Sequence, residues 1–179
     1  MPDTRFEVQR SIAADPAAIF EILSSPSGQV AIDASGMLMS ATGPRVTAVG
    51  DRFDVQMDRE SLQDYPLEEY SVTVVISRLE PDRAIAWKIE GVMEPPIGHV
   101  YGYELEPIDG GTLVTSYYDW SNIHEAYKDA NIFPIISETG LRATLGILAR
   151  VAAPGLGRPG ADPNPWRPPG NDDNNTGTS

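Results

Sequence analysis

The sequence predicts an α+β fold in which a strongly bent antiparallel sheet of about six or seven strands wraps around one long C-terminal helix. Two short helices are expected after the first strand. The first observation behind this prediction is a series of short segments of alternating apolar and polar residues between residues 37 and 120. The second is that their connecting turns are too short for parallel crossovers. The third is a single later segment with helical spacing, long enough to cover the apolar face that such a sheet must bury.

The chain opens with a strand followed by a helix. Apolar and polar residues alternate over residues 6–12, and Arg10 shares the face of the apolar ones. Asp15–Pro16 is typical of a helix start, because aspartate caps free amide groups and proline suits the first helical turn. We expect this helix to end within residues 24–28 and a second short helical piece to run from Gln29 to Asp33.

The middle of the chain is predicted to consist of strands. They are Met37–Met39, Val46–Val49, Arg52–Asp58, Glu69–Leu79, a strand with Ile85, Trp87 and Ile89 facing inward, a strand with His99, Tyr101, Tyr103 and Leu105 on one face, and Thr112–Trp120. Asp109-Gly110-Gly111 predicts a tight hairpin between the last two. Both faces of the final strand carry aromatic residues, and we expect Val114, Ser116, Tyr118 and Trp120 to face inward.

One long helix is predicted to close the domain, from Ile132 or Pro134 to Ala152. Leu141, Leu145 and Leu148 fall on one face of it. From Pro154 the composition changes to proline, glycine, asparagine and aspartate, which cannot bury enough apolar surface to offset the entropy of ordering. We therefore interpret residues 1–153 as one ligand-binding domain and residues 154–179 as a disordered tail.

Charge and composition exclude several classes of function. The formal net charge is −13, which disfavours binding to nucleic acid and docking to an anionic membrane surface. There are no cysteines, so disulfides and thiolate metal sites are ruled out. The start of the chain does not resemble a signal peptide, and no run is long enough to insert in a bilayer, so we expect a cytoplasmic protein. No cofactor and no metal ion is expected.

An antiparallel sheet that grips a single helix cannot close on it completely, and the remaining space is the predicted ligand cavity. The expected ligand-binding residues are the large inward-facing ones: Tyr70, Val72, Trp87, Tyr101, Tyr103, Tyr118, Leu141 and Leu145. Ordinary core packing is the alternative interpretation of the same residues.

His99 is the candidate catalytic residue, together with Tyr101 and Tyr103 on the same strand face. A histidine titrates near neutral pH and can move protons beside phenol groups. The alternative is a histidine at the mouth of the strand that loop groups satisfy. The other histidine, His124, is expected in a solvated loop, where a polar relay with Asp119 or Asp129 is the alternative.

The chain resembles the START/SRPBCC superfamily, the helix-grip fold of the birch-pollen-allergen type, and within it bacterial proteins of the polyketide cyclase/dehydrase-like branch. The likeness covers roughly residues 5–152. It rests on the segments RFEVQRSIAADPAAIFEILSSP, AIDASG, LEPDRAIAW, YGYELEPIDGGTLVTSYYDWS and LRATLGILARVA. The resemblance implies an internal cavity, and it places Asp33 and Ser35 at the entrance of that cavity, where turn chemistry is the simpler interpretation. Asp58, Glu60 and Asp64 form another rim loop or an acidic hairpin tip.

Three classes of function remain open at the level of sequence. The first is binding of a hydrophobic metabolite such as a lipid, an acyl chain or an aromatic, polyketide-like molecule. The second is a cyclase, aromatase or dehydratase that uses the same cavity and the histidine–tyrosine group for proton transfer. The third is a regulatory or protein-interaction module. A monomer or a homodimer is expected in each case.

Overall fold

A seven-stranded antiparallel sheet forms the body of the protein in the computed structural model, which describes residues 3–160. The strands are β1 (Arg5–Ile12), β2 (Leu38–Ala41), β3 (Arg52–Asp58), β4 (Glu69–Glu80), β5 (Ala84–Glu90), β6 (Val100–Ile108) and β7 (Gly111–Asp119). The helices are α1 (Pro16–Leu23), α2 (Pro26–Ala31) and α3 (Glu138–Ala152), with single 3₁₀ turns at Glu60–Leu62 and Glu125–Tyr127. The predicted α+β class, the strand number, the two short helices after the first strand and the C-terminal helix are confirmed.

The strands lie in the order β1-β7-β6-β5-β4-β3-β2, so the first strand joins the last and the sheet stays open. The register aligns inward-facing residues in rows that cross the sheet. One row contains Phe6, Tyr118, Tyr101 and Trp87, and the next contains Val8, Ser116, Tyr103 and Ile85. These two rows place an aromatic and hydroxyl-bearing surface at the centre of the inner face.

The inner face packs against α1 and α3. The final helix lies mainly over β1, with further contacts to β7 and α1. Its residues Leu141, Leu145 and Leu148 are buried, as the sequence predicted, and join one continuous core with the inward residues of the sheet. No helix within residues 3–160 is long and apolar enough to cross a membrane.

The short elements between β1 and β3 differ from the prediction. The second helix begins at Pro26 rather than Gln29, because the Ser25 side chain accepts a hydrogen bond from the Gly28 amide and caps an earlier turn. Residues 46–49 do not form a strand, because the Asp51 carboxylate accepts hydrogen bonds from the amides of Thr47 and Ala48 and folds them into a turn.

The last helix begins later than predicted. Ser137 has extended backbone angles, and its hydroxyl accepts a hydrogen bond from the Gly140 amide at 3.0 Å. The first helical residue is therefore Glu138, and residues 132–136 stand outside the helix. Most of the predicted tail, residues 161–179, lies outside the described residues, so the domain boundary at residue 153 stays a prediction.

Candidate ligand-binding site

Four of the predicted site residues meet at the centre of the inner face. The Tyr101 ring lies 4.9 Å from that of Tyr118 and is stacked on Trp87 at 6.1 Å between centroids. The Tyr103 ring lies 5.9 Å from that of Trp87. The sequence brings them together because residues two apart on one strand share a face and the register aligns the three strands.

His99 directly precedes β6, although the sequence predicted it within the strand, and it is almost fully buried, with 5% of its surface exposed. Its Nδ1 lies 2.8 Å from the Tyr118 hydroxyl, and its ring meets the edge of Tyr101 at 5.1 Å. Burial lowers the pKa of His99 to about 4, so the imidazole is neutral at neutral pH. Within residues 3–160 the hydrogen-bond partner of His99 is a tyrosine of β7 and not a loop group, which was the alternative interpretation.

Tyr118 is the hydrogen-bond partner of the buried His99. Tyr118 is itself fully buried, and burial raises the pKa of its phenol, which therefore keeps its proton. With the imidazole proton on Nε2 the Tyr118 hydroxyl donates to Nδ1, and with the proton on Nδ1 the direction is reversed.

His99 and Tyr101 bring further polar atoms into this aromatic cluster. Hydrogen bonds within residues 3–160 include the one between His99 Nδ1 and Tyr118, but none to His99 Nε2 or to the Tyr101 hydroxyl. Burial raises the pKa of Tyr101, so that phenol is neutral too.

Tyr103 forms a second polar point beside the first. Its hydroxyl interacts with Ser116, its register partner on the adjacent strand β7. Burial raises the pKa of Tyr103, and the negative charge of Asp33 adds to that effect. Asp33 itself accepts hydrogen bonds from the Ser35 and Leu38 amides, so the predicted turn is present and its charge reaches the cluster.

Arg59 is a site residue that the sequence analysis missed. It directly follows β3, yet its side chain is only 14% exposed. Its guanidinium lies beside the Tyr70 hydroxyl, and its charge reaches the Tyr101 phenol and partly offsets the rise in pKa there. A usable signal did exist: Arg59 comes two residues after Met57, the register partner of the inward-facing Tyr70.

The remaining predicted residues lie at the margins of the cluster or in the core. Val72, Leu141 and Leu145 are buried in the core, and Leu145 is only 1% exposed, so their contact with a ligand stays a prediction. His124 is exposed, and its Nδ1 accepts a hydrogen bond from the Ala126 amide at 3.1 Å. Asp119 bonds to Ser121, and within residues 3–160 neither Asp119 nor Asp129 forms a hydrogen bond to His124. Residues 3–160 contain no group of three or more potential metal ligands.

A cleft of about 810 Å³ opens away from this cluster, where the ends of β4 and β6 meet the start of α1. Its lining is strongly charged, with Arg78 bonded to both Glu80 and Glu104. It does not correspond to the apolar cavity expected between sheet and helix, which stays a prediction as a closed volume.

Comparison with solved structures identifies the fold. The protein CV1439 from Chromobacterium violaceum is similar to this chain with a TM-score of 0.60 at 14% identity, over 84% of this chain and 98% of that one. The chain has the helix-grip fold. The Aha1 dimer from Colwellia psychrerythraea shares it with a TM-score of 0.56 at 16% identity, over 87% and 100% of the two chains.

A third helix-grip neighbour is DynU16, a protein of the dynemicin biosynthetic locus, with a TM-score of 0.54 at 17% identity. The match covers 86% of this chain and 49% of DynU16. No protein-family model and no curated protein sequence matches the chain. The resemblance to the START/SRPBCC superfamily is thus confirmed as a likeness of fold.

Proposed function

We propose that the protein binds a hydrophobic small molecule, with an aromatic or acyl body, against the inner face of its sheet. The observation that carries the proposal is the cluster of inward-facing aromatic rings, in which Tyr101 is stacked on Trp87 and the His99–Tyr118 pair supplies oriented polar groups. Apolar walls with a few oriented polar groups are the usual composition of a small-molecule site. The Trp87 and Tyr101 rings supply a stacking surface for a flat ligand.

The proposal is tested first by native mass spectrometry of the purified full chain, followed by organic extraction of any molecule released. We expect an adduct of a few hundred daltons. The extracted protein is then titrated with naphthol by calorimetry. Naphthol should bind, and Tyr101→Phe should weaken binding about fivefold through loss of one hydrogen bond.

Tyr65→Phe is the matched control, because Tyr65 is an exposed tyrosine of a surface loop. It should bind naphthol like the wild type. A protein that carries no adduct and takes up no naphthol would contradict the proposal. Equal losses in both tyrosine variants would contradict the assigned location.

A second candidate function is proton-transfer catalysis of the polyketide cyclase or dehydratase type. The favouring observation is the His99–Tyr118 hydrogen bond beside Tyr101 and Tyr103, in a fold shared with a protein of the dynemicin biosynthetic locus. A pKa of about 4 makes His99 a weak general base at neutral pH, which favours binding over catalysis. An enzyme should convert its extracted ligand on incubation, and His99→Gln should then lower kcat more than it weakens binding; a binder should release the ligand unchanged.

A further inference from the structure

Arg59 has an unusual position for an ion-paired arginine on this surface. The side chains of Arg5, Arg45, Arg52 and Arg78, which also form ion pairs, are between 37% and 52% exposed, whereas that of Arg59 is 14% exposed. Covering a guanidinium to this degree costs desolvation energy that an exposed ion pair does not repay in full. A role in solubility alone therefore does not explain why the Arg59 guanidinium is covered.

The guanidinium of Arg59 connects the surface loop with the aromatic cluster. On the outer side, Nε and Nη2 bind both oxygens of Asp64 at 2.8 and 2.7 Å, and the Tyr65 ring lies 5.1 Å away. The inner side of the guanidinium is the one towards Tyr70, whose hydroxyl interacts with it, and Tyr101 is within reach of its charge. Its Nη1 faces Met37 Sδ at 3.2 Å, and a thioether is a weak acceptor. The outer side of the cation thus carries a two-bond ion pair, whereas the inner side meets only neutral groups.

Near the cluster, Arg59 supplies the positive charge that can attract an anion. Asp33 lies on the Tyr103 side and repels a negative group, while His99 is neutral. A planar guanidinium binds a carboxylate in a two-bond arrangement, and Asp64 already demonstrates that Arg59 can present this geometry.

We propose that Arg59 recognises an acidic group of the ligand, so that the site selects a hydrophobic carboxylate whose ring or chain lies on Trp87 and Tyr101. This inference rests on the proposed function and specifies its ligand class. The carboxylate binds the inner side of the guanidinium next to Tyr70 and competes with Asp64 for the cation. A neutral ligand of the same shape loses this contact and binds through its apolar body alone.

The experiment is a calorimetric titration of the full chain at neutral pH with two probes of equal shape, naphthoic acid and naphthalenemethanol. The wild type should bind the acid about tenfold more tightly than the alcohol, as a charge-assisted hydrogen-bonded pair does. Arg59→Gln should abolish that preference by lowering the affinity for the acid to about that for the alcohol. Arg52→Gln is the matched control, because Arg52 pairs with Glu90 elsewhere on the sheet, and it should keep the preference.

A second variant separates recognition from a structural role of the ion pair. Asp64→Asn removes the competing carboxylate, so the acid should bind about threefold to tenfold more tightly while the alcohol binds as before. If the pair merely holds the loop, Asp64→Asn should weaken both probes alike, and that result would overturn the inference. Equal affinity of the wild type for acid and alcohol would overturn it as well, with the proposed function intact. If neither probe binds, the proposed function itself fails.

Discussion

Burial shifts the pKa of His99 within a pH range that unfolding experiments can reach. Burial lowers its pKa from 6.5 to about 4, so the unfolded chain takes up the proton first as the pH falls. The protein should therefore lose stability between about pH 6.5 and pH 4, and the contribution of His99 should reach about 3 kcal/mol. Urea unfolding at several pH values, in the wild type and in His99→Gln, measures this contribution as the difference in pH dependence.

His124→Gln is the control for that experiment, since the chain has two histidines and His124 is exposed. Its pH profile should follow that of the wild type, because the carboxylates contribute equally to both. A His99→Gln profile as steep as the wild-type one would show that His99 is not held neutral by burial.

Arg10 is an inward-facing cation beneath the final helix. Its Nε is sealed and unpartnered within residues 3–160, its Nη1 lies beside Gly146, and burial followed by the charge of Arg158 lowers its pKa. An unmade hydrogen bond at a sealed donor costs about 1–3 kcal/mol. We expect Arg10→Met, which keeps an unbranched side chain as far as the position of Nε, to raise the free energy of unfolding by about 1 kcal/mol in denaturant titration.

Arg5→Met provides the contrast on the same strand but the opposite face. The Arg5 guanidinium lies 4.1 Å from the centre of the Tyr117 ring and pairs with Glu7 and Asp119, so its loss should destabilise the protein slightly. If Arg10→Met destabilises the protein as well, Arg10 makes a favourable interaction, and its unpartnered Nε does not lower the free energy of unfolding.

At the scale of elements, the helix starts show which caps form hydrogen bonds. The Ser137 hydroxyl caps α3, whereas the side chain of Asp15 makes no capping bond at the start of α1 despite its typical position before Pro16. Ser137→Ala should therefore lower the free energy of unfolding by about 1 kcal/mol, and Asp15→Ala by much less. Thermal unfolding of both variants checks this, and a larger loss in Asp15→Ala would mean that the cap at α1 forms in solution.

The strands were predictable where alternation is strong and the segment is long. Predicted Arg52–Asp58 matches β3, and predicted Glu69–Leu79 is β4 short of its last residue. Residues 46–49 were predicted wrongly because three valine and threonine residues favour a strand, while the competing hydrogen bonds come from Asp51, whose side-chain orientation the pattern does not encode. The start of α3 was missed for the same reason, since a serine cap is visible in sequence only when the helix it caps is already known.

At the scale of the whole molecule, the face of each site residue was predictable but its neighbours were not. Period-two alternation put His99, Tyr101 and Tyr103 on one face. The hydrogen bond between His99 and Tyr118 depends on the register of β6 with β7, which a sequence pattern does not fix to one residue. The sequence pattern did not predict Arg59 as a site residue, because its approach to the cluster depends on the path of the loop after β3.

The extent of the folding unit is the last property at this scale, and composition predicts where it ends. Residues 161–179 contain Trp166 as their one large apolar residue among prolines, glycines and acidic or amide side chains, so they have little apolar surface to bury. Deleting residues 161–179 should shift the Tm by less than about 2 °C and leave naphthol binding unchanged. Leu145→Asp in the full chain supplies the opposite case, because Leu145 is 1% exposed at the contact of α3 with the sheet and an unpaired charge there should abolish the cooperative transition. Differential scanning calorimetry compares the three proteins. A drop of Tm on truncation well beyond that margin would mean that the C-terminal residues stabilise the helix-grip domain, and the boundary at residue 153 would have to move towards the C-terminus.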